Sequence, residues 1–127
     1  MEIGGICRDE DYRFCIDNPL GCMHASVIVD SNGDISGFAA SFKHSVSRRI
    51  GPAFARTEAE AIALVCCELK RLRGGVVSIL VPVASRQIVE TFYRWGAANG
   101  EIYLLQVRGS FKAIEGVWIP SFLPETG

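Results

Sequence analysis

With 127 residues, 49% of them apolar, and a formal charge of −1, the chain is too apolar for a disordered or fibrous protein. It can bury a sizeable core as one domain spanning residues 1–127, and its charge balance leaves no basic footprint for nucleic acid or an anionic membrane. No apolar run approaches the ~18 residues needed to cross a bilayer and no leader pattern opens the sequence, so a soluble, cytoplasmic protein is expected.

The first twenty residues are expected to carry one short helix, Arg8 to Ile16, with Tyr12, Cys15 and Ile16 inward and Asn18-Pro19 ending it. His24 to Asp30 then alternates as a strand, with Ala25, Val27 and Val29 on one face and Ser26 and Ile28 on the other. Ser31-Asn32-Gly33-Asp34 predicts a tight hairpin, because Asn-Gly tolerates the positive φ angles of a type I′ turn. Ile35 to Phe42 returns as its second arm, and Val46 to Phe54 follows as a third antiparallel strand.

A helix is predicted to start at Thr57. Its hydroxyl and the Glu60 carboxylate form a capping box, each accepting from a backbone amide of the other residue. Ile62, Val65, Cys66, Leu69 and Leu72 recur at helical spacing, and residues Ala61 to Cys67 are all apolar, so more than one stripe is buried. Lys70, Arg71 and Arg73 suit the negative end of the dipole, and Gly74-Gly75 stops the helix.

Val76 to Val81 reads as a strand buried on both faces. Ser85 is the expected N-cap of a second helix with Ile88, Val89, Phe92 and Trp95 inward and Gly96 at its end. Ile102 to Arg108 and Gly116 to Ile119 supply late strands, and the Pro-rich tail 120–127 is irregular. The order predicts an α/β (α+β) fold: a mixed sheet with helices on both faces, in which Arg48 to Trp95 forms a βαβ unit. At the mouth where such a strand feeds its crossover helix, phosphate-bearing ligands commonly sit.

The five cysteines are an odd number without a Cys-x-x-Cys pair. Cys66 and Cys67 point about 100° apart on one helix, so reduced cysteines acting as small core residues are expected. Cys7, Cys15, Cys22 and His24 are spaced too irregularly for a zinc knuckle, and no metal is expected. Nucleophile-elbow, Walker, dinucleotide and His-Glu-x-x-His patterns are absent.

From about Cys22 to Arg108 the order and residues resemble the GNAT N-acetyltransferase superfamily, most of all the reduced second module of some bacterial members. Arg49-Ile-Gly-Pro-Ala-Phe-Ala55 is similar to the approach to the family's phosphate loop, and Ile88-Val-Glu-Thr-Phe-Tyr-Arg-Trp-Gly96 to its late helix. The resemblance implies a V-shaped parting of two parallel strands near Phe54 and Val81, with acetyl-CoA as co-substrate. Ala53, Phe54, Ala55, Arg56 and Thr57 would hold it, the strand backbone pairing with its pantetheine arm. It also implies that Tyr93 protonates the departing thiolate; aligning on Gly96 puts Phe92 at that position instead, and a packed tyrosine remains the other reading.

Where the family's loop is rich in Gly and basic residues, this chain has Arg56-Thr-Glu-Ala-Glu60. Thr57 and Glu60 would occupy amides that a diphosphate needs, and their neighbours offer only Arg56, Arg48 or Arg49 in compensation. No general base stands out: His44 reads as a surface residue, His24 opens a strand, and Glu58, Glu60 and Glu90 are ordinary helix carboxylates. Two readings follow. One is an acyl-CoA-dependent N-acyltransferase acting on a small amine; the other is a non-catalytic module of the same fold that binds a partner protein or forms a homodimer. The long pair of N-terminal helices that builds the family's acceptor-side wall is not in the sequence, which favours a partner domain or second subunit.

Overall fold

A computed structural model describes residues 2–3, 6–7 and 9–121, and side chains of residues 10 and 13–121. In order they form β1 (Glu2–Ile3), β2 (Ile6–Cys7), α1 (Asp9–Asp17), β3 (Met23–Val29), β4 (Ile35–His44) and β5 (Ser47–Ala55). Then come α2 (Glu58–Arg71), β6 (Ser78–Ile79), α3 (Arg86–Arg94) and β7 (Val117–Ile119). β1 and β2 pair with each other, and the remaining strands make a mixed sheet in the order β3-β4-β5-β6, with β7 also on β5. Tyr12, Cys7 and residues 122–127 of the tail lie outside the described residues or side chains.

The meander forms as its alternation dictates, but its first turn is not type I′. Asn32 does not adopt a positive φ; Gly33 alone does, at 88°. The Asp30 carboxylate accepts from the amides of Asn32 (2.9 Å) and Asp34 (3.1 Å). The Asp30 carbonyl accepts from Gly33 at 3.0 Å, so an Asx-type turn replaces the mirror-image one. The extra residue appears as a register shift between Ile28 and Val29.

Successive residues of β4 face opposite sides of the sheet. Phe38 and Ala40 join Phe54 and Cys15 of α1 on one face. Ala39 joins Ile50, Ala53 and Ala55 beneath α2 on the other, where Ile88 and Phe92 of α3 complete the cluster. Helices therefore cover both faces. Within α1, Cys15 is buried but Ile16 is 62% exposed. One residue along a helix turns the side chain by about 100°, and a helix this short seats one stripe on the sheet. Asn18, at φ 48°, ends α1, and its side-chain oxygen accepts from the Met23 amide at 2.9 Å.

Three expectations fail in the second half. The strand 76–81 pairs only through Ser78 and Ile79 and is half-exposed, with Val76 89% exposed, because it lies at the sheet's edge without an outer neighbour among the described residues. Residues 102–108 form no strand, and Ile102 is 91% exposed. Ser85 makes no side-chain cap on α3; the Glu58 carboxylate of α2 accepts from the Ile88 amide instead, at 3.0 Å. Among the described residues no helix is long and apolar enough to cross a membrane.

Candidate functional site

The mouth of the βαβ unit is built by the end of β5, the start of α2 and the departure of β6. β5 and β6 run parallel over two rungs, Arg49 with Ser78 and Ile50 with Ile79, and then part. At that level β5 carries a bulge, since Ala39 and Ser41 of β4 face Ala53 and Ile50, three positions apart. The expected divergence of two parallel strands is therefore present. The open slot is not: β7 lies along the vacated edge, antiparallel, pairing Ile119, Trp118 and Val117 with Ala53, Phe54 and Ala55.

Two glycines allow this approach. Gly51 (φ 133°) faces the Pro120 carbonyl so closely that a Cβ would run into it. At Gly116 (φ 86°) a Cβ would sit 2.5 Å from the Ala55 carbonyl oxygen. Both backbone angles lie where L side chains are strained. Val117 and Ile119 are buried in the main core, so β7 is anchored by packing as well as by its ladder.

The capping box of α2 is complete. Thr57 Oγ1 accepts from the Glu60 amide at 3.2 Å, while Glu60 Oε2 accepts from the amides of Thr57 (3.1 Å) and Arg56 (3.0 Å). Its other oxygen accepts from the Ser36 hydroxyl at 3.3 Å. A carboxylate of the chain thus occupies the amides that would face an incoming diphosphate. The Arg56 guanidinium reaches Asp30 Oδ2 at 3.4 Å. The amides of Asn32 and Asp34, and then Arg56, hold the Asp30 carboxyl below the ordinary carboxylate range. Arg48 and Arg49 open β5, roughly 25 Å along the strand from Arg56 at 3.3 Å per residue, so of the three arginines only Arg56 stands at the mouth. The Arg48 guanidinium lies against Gly75.

Tyr93 stands on the outer side of α3, 51% exposed, and its hydroxyl donates to Asn99 Oδ1 at 2.7 Å. Phe92, the other residue that the late-helix register allows, is buried and stacks on Trp95 at 5.3 Å. Ala53 to Thr57 come together at the mouth; the hydroxyl of Tyr93 is engaged with Asn99, away from their hydrogen-bond network.

Sequence reasoning missed a second polar centre. Glu68, on the inner side of α2, has no exposed surface. Its carboxylate is met by His24 Nδ1 at 3.0 and 3.1 Å, by the Ser41 hydroxyl at 2.5 Å and by the Ser26 hydroxyl. Facing an acceptor-only group, Nδ1 carries the ring proton, which leaves Nε2 on the 34% exposed imidazole as the free acceptor when the ring is neutral. Cys67 Sγ lies 3.6 Å from Ser26 Oγ. The signal was available: Glu68 follows Leu64 by four residues and precedes Leu72 by four, so it belongs to the buried stripe.

A family model described as an acetyltransferase (GNAT) domain matches residues 18–102. No curated protein and no solved structure matches the chain.

Proposed function

As the chain belongs to the GNAT acetyltransferase domain family, we propose that it is an acyl-CoA-dependent N-acyltransferase domain that moves an acetyl group from the thioester to an amine. One observation carries the reading: β5 and β6 part after Ile50, and along Ala53 to Ala55, toward the N-terminus of α2, the edge facing away from β4 is covered by a three-residue strand. In this reading the pantetheine arm takes the place of β7 on Ala53, Phe54 and Ala55. Arg56 leaves Asp30 for the diphosphate, and the amides of Arg56 and Thr57 exchange Glu60 for a phosphate oxygen. Held there, the thioester carbonyl is presented to a neutral amine; attack forms the C–N bond as the C–S bond breaks. Tyr93, released from Asn99, is the candidate acid: it gives its proton to the departing thiolate and recovers one from the acylated nitrogen, so that amide and free thiol leave and the phenol is restored.

Opening the mouth has a cost. Re-exposing Val117 and Ile119 costs about 3–6 kcal/mol, at 1.5–3 kcal/mol for each buried aliphatic side chain. A micromolar ligand supplies about 8 kcal/mol, so apparent affinity falls toward the millimolar range. A second reading, a non-catalytic module of the same fold, is favoured by Glu60 and β7 already filling the positions that the co-substrate needs. Thermal unfolding with about 5 mM acetyl-CoA separates the two, because a ligand that binds the native state raises its melting temperature. The transferase reading expects a rise of about 3–5 °C; no rise selects the second. Given binding, Tyr93→Phe should cut turnover and keep the thermal shift, and unchanged turnover would remove its acid role.

A further inference from the structure

The chain has a formal charge of −1, yet its fold gathers cations at one end. Residues 42–49, around the β4–β5 turn, hold Lys43, Arg48 and Arg49, and residues 69–76, where α2 gives way to β6, hold Lys70, Arg71 and Arg73. Neither stretch contains Asp or Glu. The Arg48 guanidinium against Gly75 and the rung between Arg49 and Ser78 bring these stretches together. They lie at the end of the sheet away from the mouth.

Lys43 and Arg48 differ from the other cations there. They are register partners across the β4–β5 ladder, so their side chains leave one face of the sheet with Cβ atoms about 5 Å apart. It is the α2 face, because Arg48 stands two residues before the buried Ile50 and packs on Gly75. Like charges set directly opposite repel each other. Neither the Lys43 nor the Arg48 side chain makes a hydrogen bond or ion pair among the described residues. Arg48 Nε is buried and has no acceptor, an unfavourable state for a charged donor. A Cβ on Gly75 would collide with the guanidinium, so the glycine makes the seat that Arg48 occupies. The amides of Gly74 and Gly75 beside it donate to no backbone carbonyl among the described residues.

We propose that Arg48 and Lys43 form a binding site for the phosphate group of a small molecule, at the opposite end of β5 from Arg56. A phosphate carries two charges to set against two adjacent cations, and its oxygens match the fork of a guanidinium. Its arrival relieves the repulsion across the ladder. It also draws the guanidinium from its seat and gives Nε the acceptor it lacks. A carboxylate brings only one charge to the same pair. A nucleic-acid strand would draw on all the exposed cations alike, whereas a half-buried, unpaired arginine on a glycine seat defines one discrete position. The remaining cations at this end raise the local anion concentration without touching the ligand. The site is independent of the transferase reading, which concerns the mouth.

Amide-resolved NMR titration of the full chain with inorganic phosphate at low salt tests this. Saturable binding in the millimolar range or tighter is expected. Arg48→Gln should weaken it at least about ten-fold and Lys43→Gln about three-fold, while Arg71→Gln and Arg56→Gln leave it within about two-fold. Lys43 is exposed, so its variant carries the test if Arg48→Gln unfolds. Absence of binding up to about 20 mM phosphate overturns the proposal. Binding lost in Arg56→Gln but kept in Arg48→Gln moves the anion to the mouth and overturns it too. Equal losses in Arg71→Gln and Arg48→Gln show a diffuse patch of the kind a nucleic-acid strand uses. Acetate that binds as tightly as phosphate at equal ionic strength removes the phosphate assignment.

Discussion

The two ends of α2 carry the same chemical group under opposite conditions. At the N-terminus, Glu58 and Glu60 meet free amides and the positive end of the helix dipole, and water stands by if a bond breaks. Near the C-terminus, Glu68 has no solvent at all and sits in the half of the helix where an anion is disfavoured. Among the described residues, three on two strands, His24, Ser26 and Ser41, supply the hydrogen bonds of its carboxylate in hydration's place. Carboxylates at the mouth are exchangeable, so a ligand's anion can compete with them. The carboxylate at the other end locks α2 to the β3–β4 hairpin.

Breaking the locked end should have the largest effect. Glu68→Ala leaves two hydroxyls and an imidazole facing a cavity, and losing one partner of a buried charged network costs about 3–5 kcal/mol. Urea denaturation should show that loss in the unfolding free energy, and thermal unfolding should show it as a fall in melting temperature of more than 10 °C. A loss under about 1 kcal/mol would mean that water reaches the site and the contrast between the ends is not one of burial.

How far sequence could go follows the same division. The capping box was legible because Thr57 and Glu60 are neighbours whose spacing alone fixes their contacts. The meander was legible from alternation. The Glu68 network joins residues more than twenty-five positions apart, and only the strand register that sets Ser41 opposite His24 brings its donors together. The apolar run 61–67 masked the carboxylate that ends it. The filled slot was also beyond reach: β7 was expected as a strand, but periodicity does not choose between two edges, and the bulge and glycines that admit it to β5 act only in three dimensions.

The exchangeable end gives a middle effect with two readouts. Glu60→Gln keeps one acceptor oxygen but loses the charge, so stability should drop by about 1 kcal/mol. Acetyl-CoA, in the transferase reading, should bind several-fold more tightly, because the competing carboxylate at the Arg56 and Thr57 amides is gone. Calorimetric titration reads the second effect. Weaker binding would show that the cap orders the mouth for the ligand instead of competing with it.

Asp30 gives the smallest effect and the clearest sign. The Asn32 and Asp34 amides, then Arg56, depress its carboxyl in the folded state relative to the unfolded chain. Its contribution to stability is therefore complete above the unfolded value, near 4, and disappears as pH falls through the lower folded value. Asp30→Asn keeps an oxygen for those amides and removes only the charge, so its melting temperature should lie slightly below wild type at pH 7. The gap should close on acidification below pH about 4. The pair with Arg56 is solvent-accessible and adds little, so salt should leave most of the gap intact. A gap that high salt abolishes at pH 7 would assign the effect to Arg56 and not to the turn amides, and Arg56 would then be the more tightly held of the two groups at the mouth.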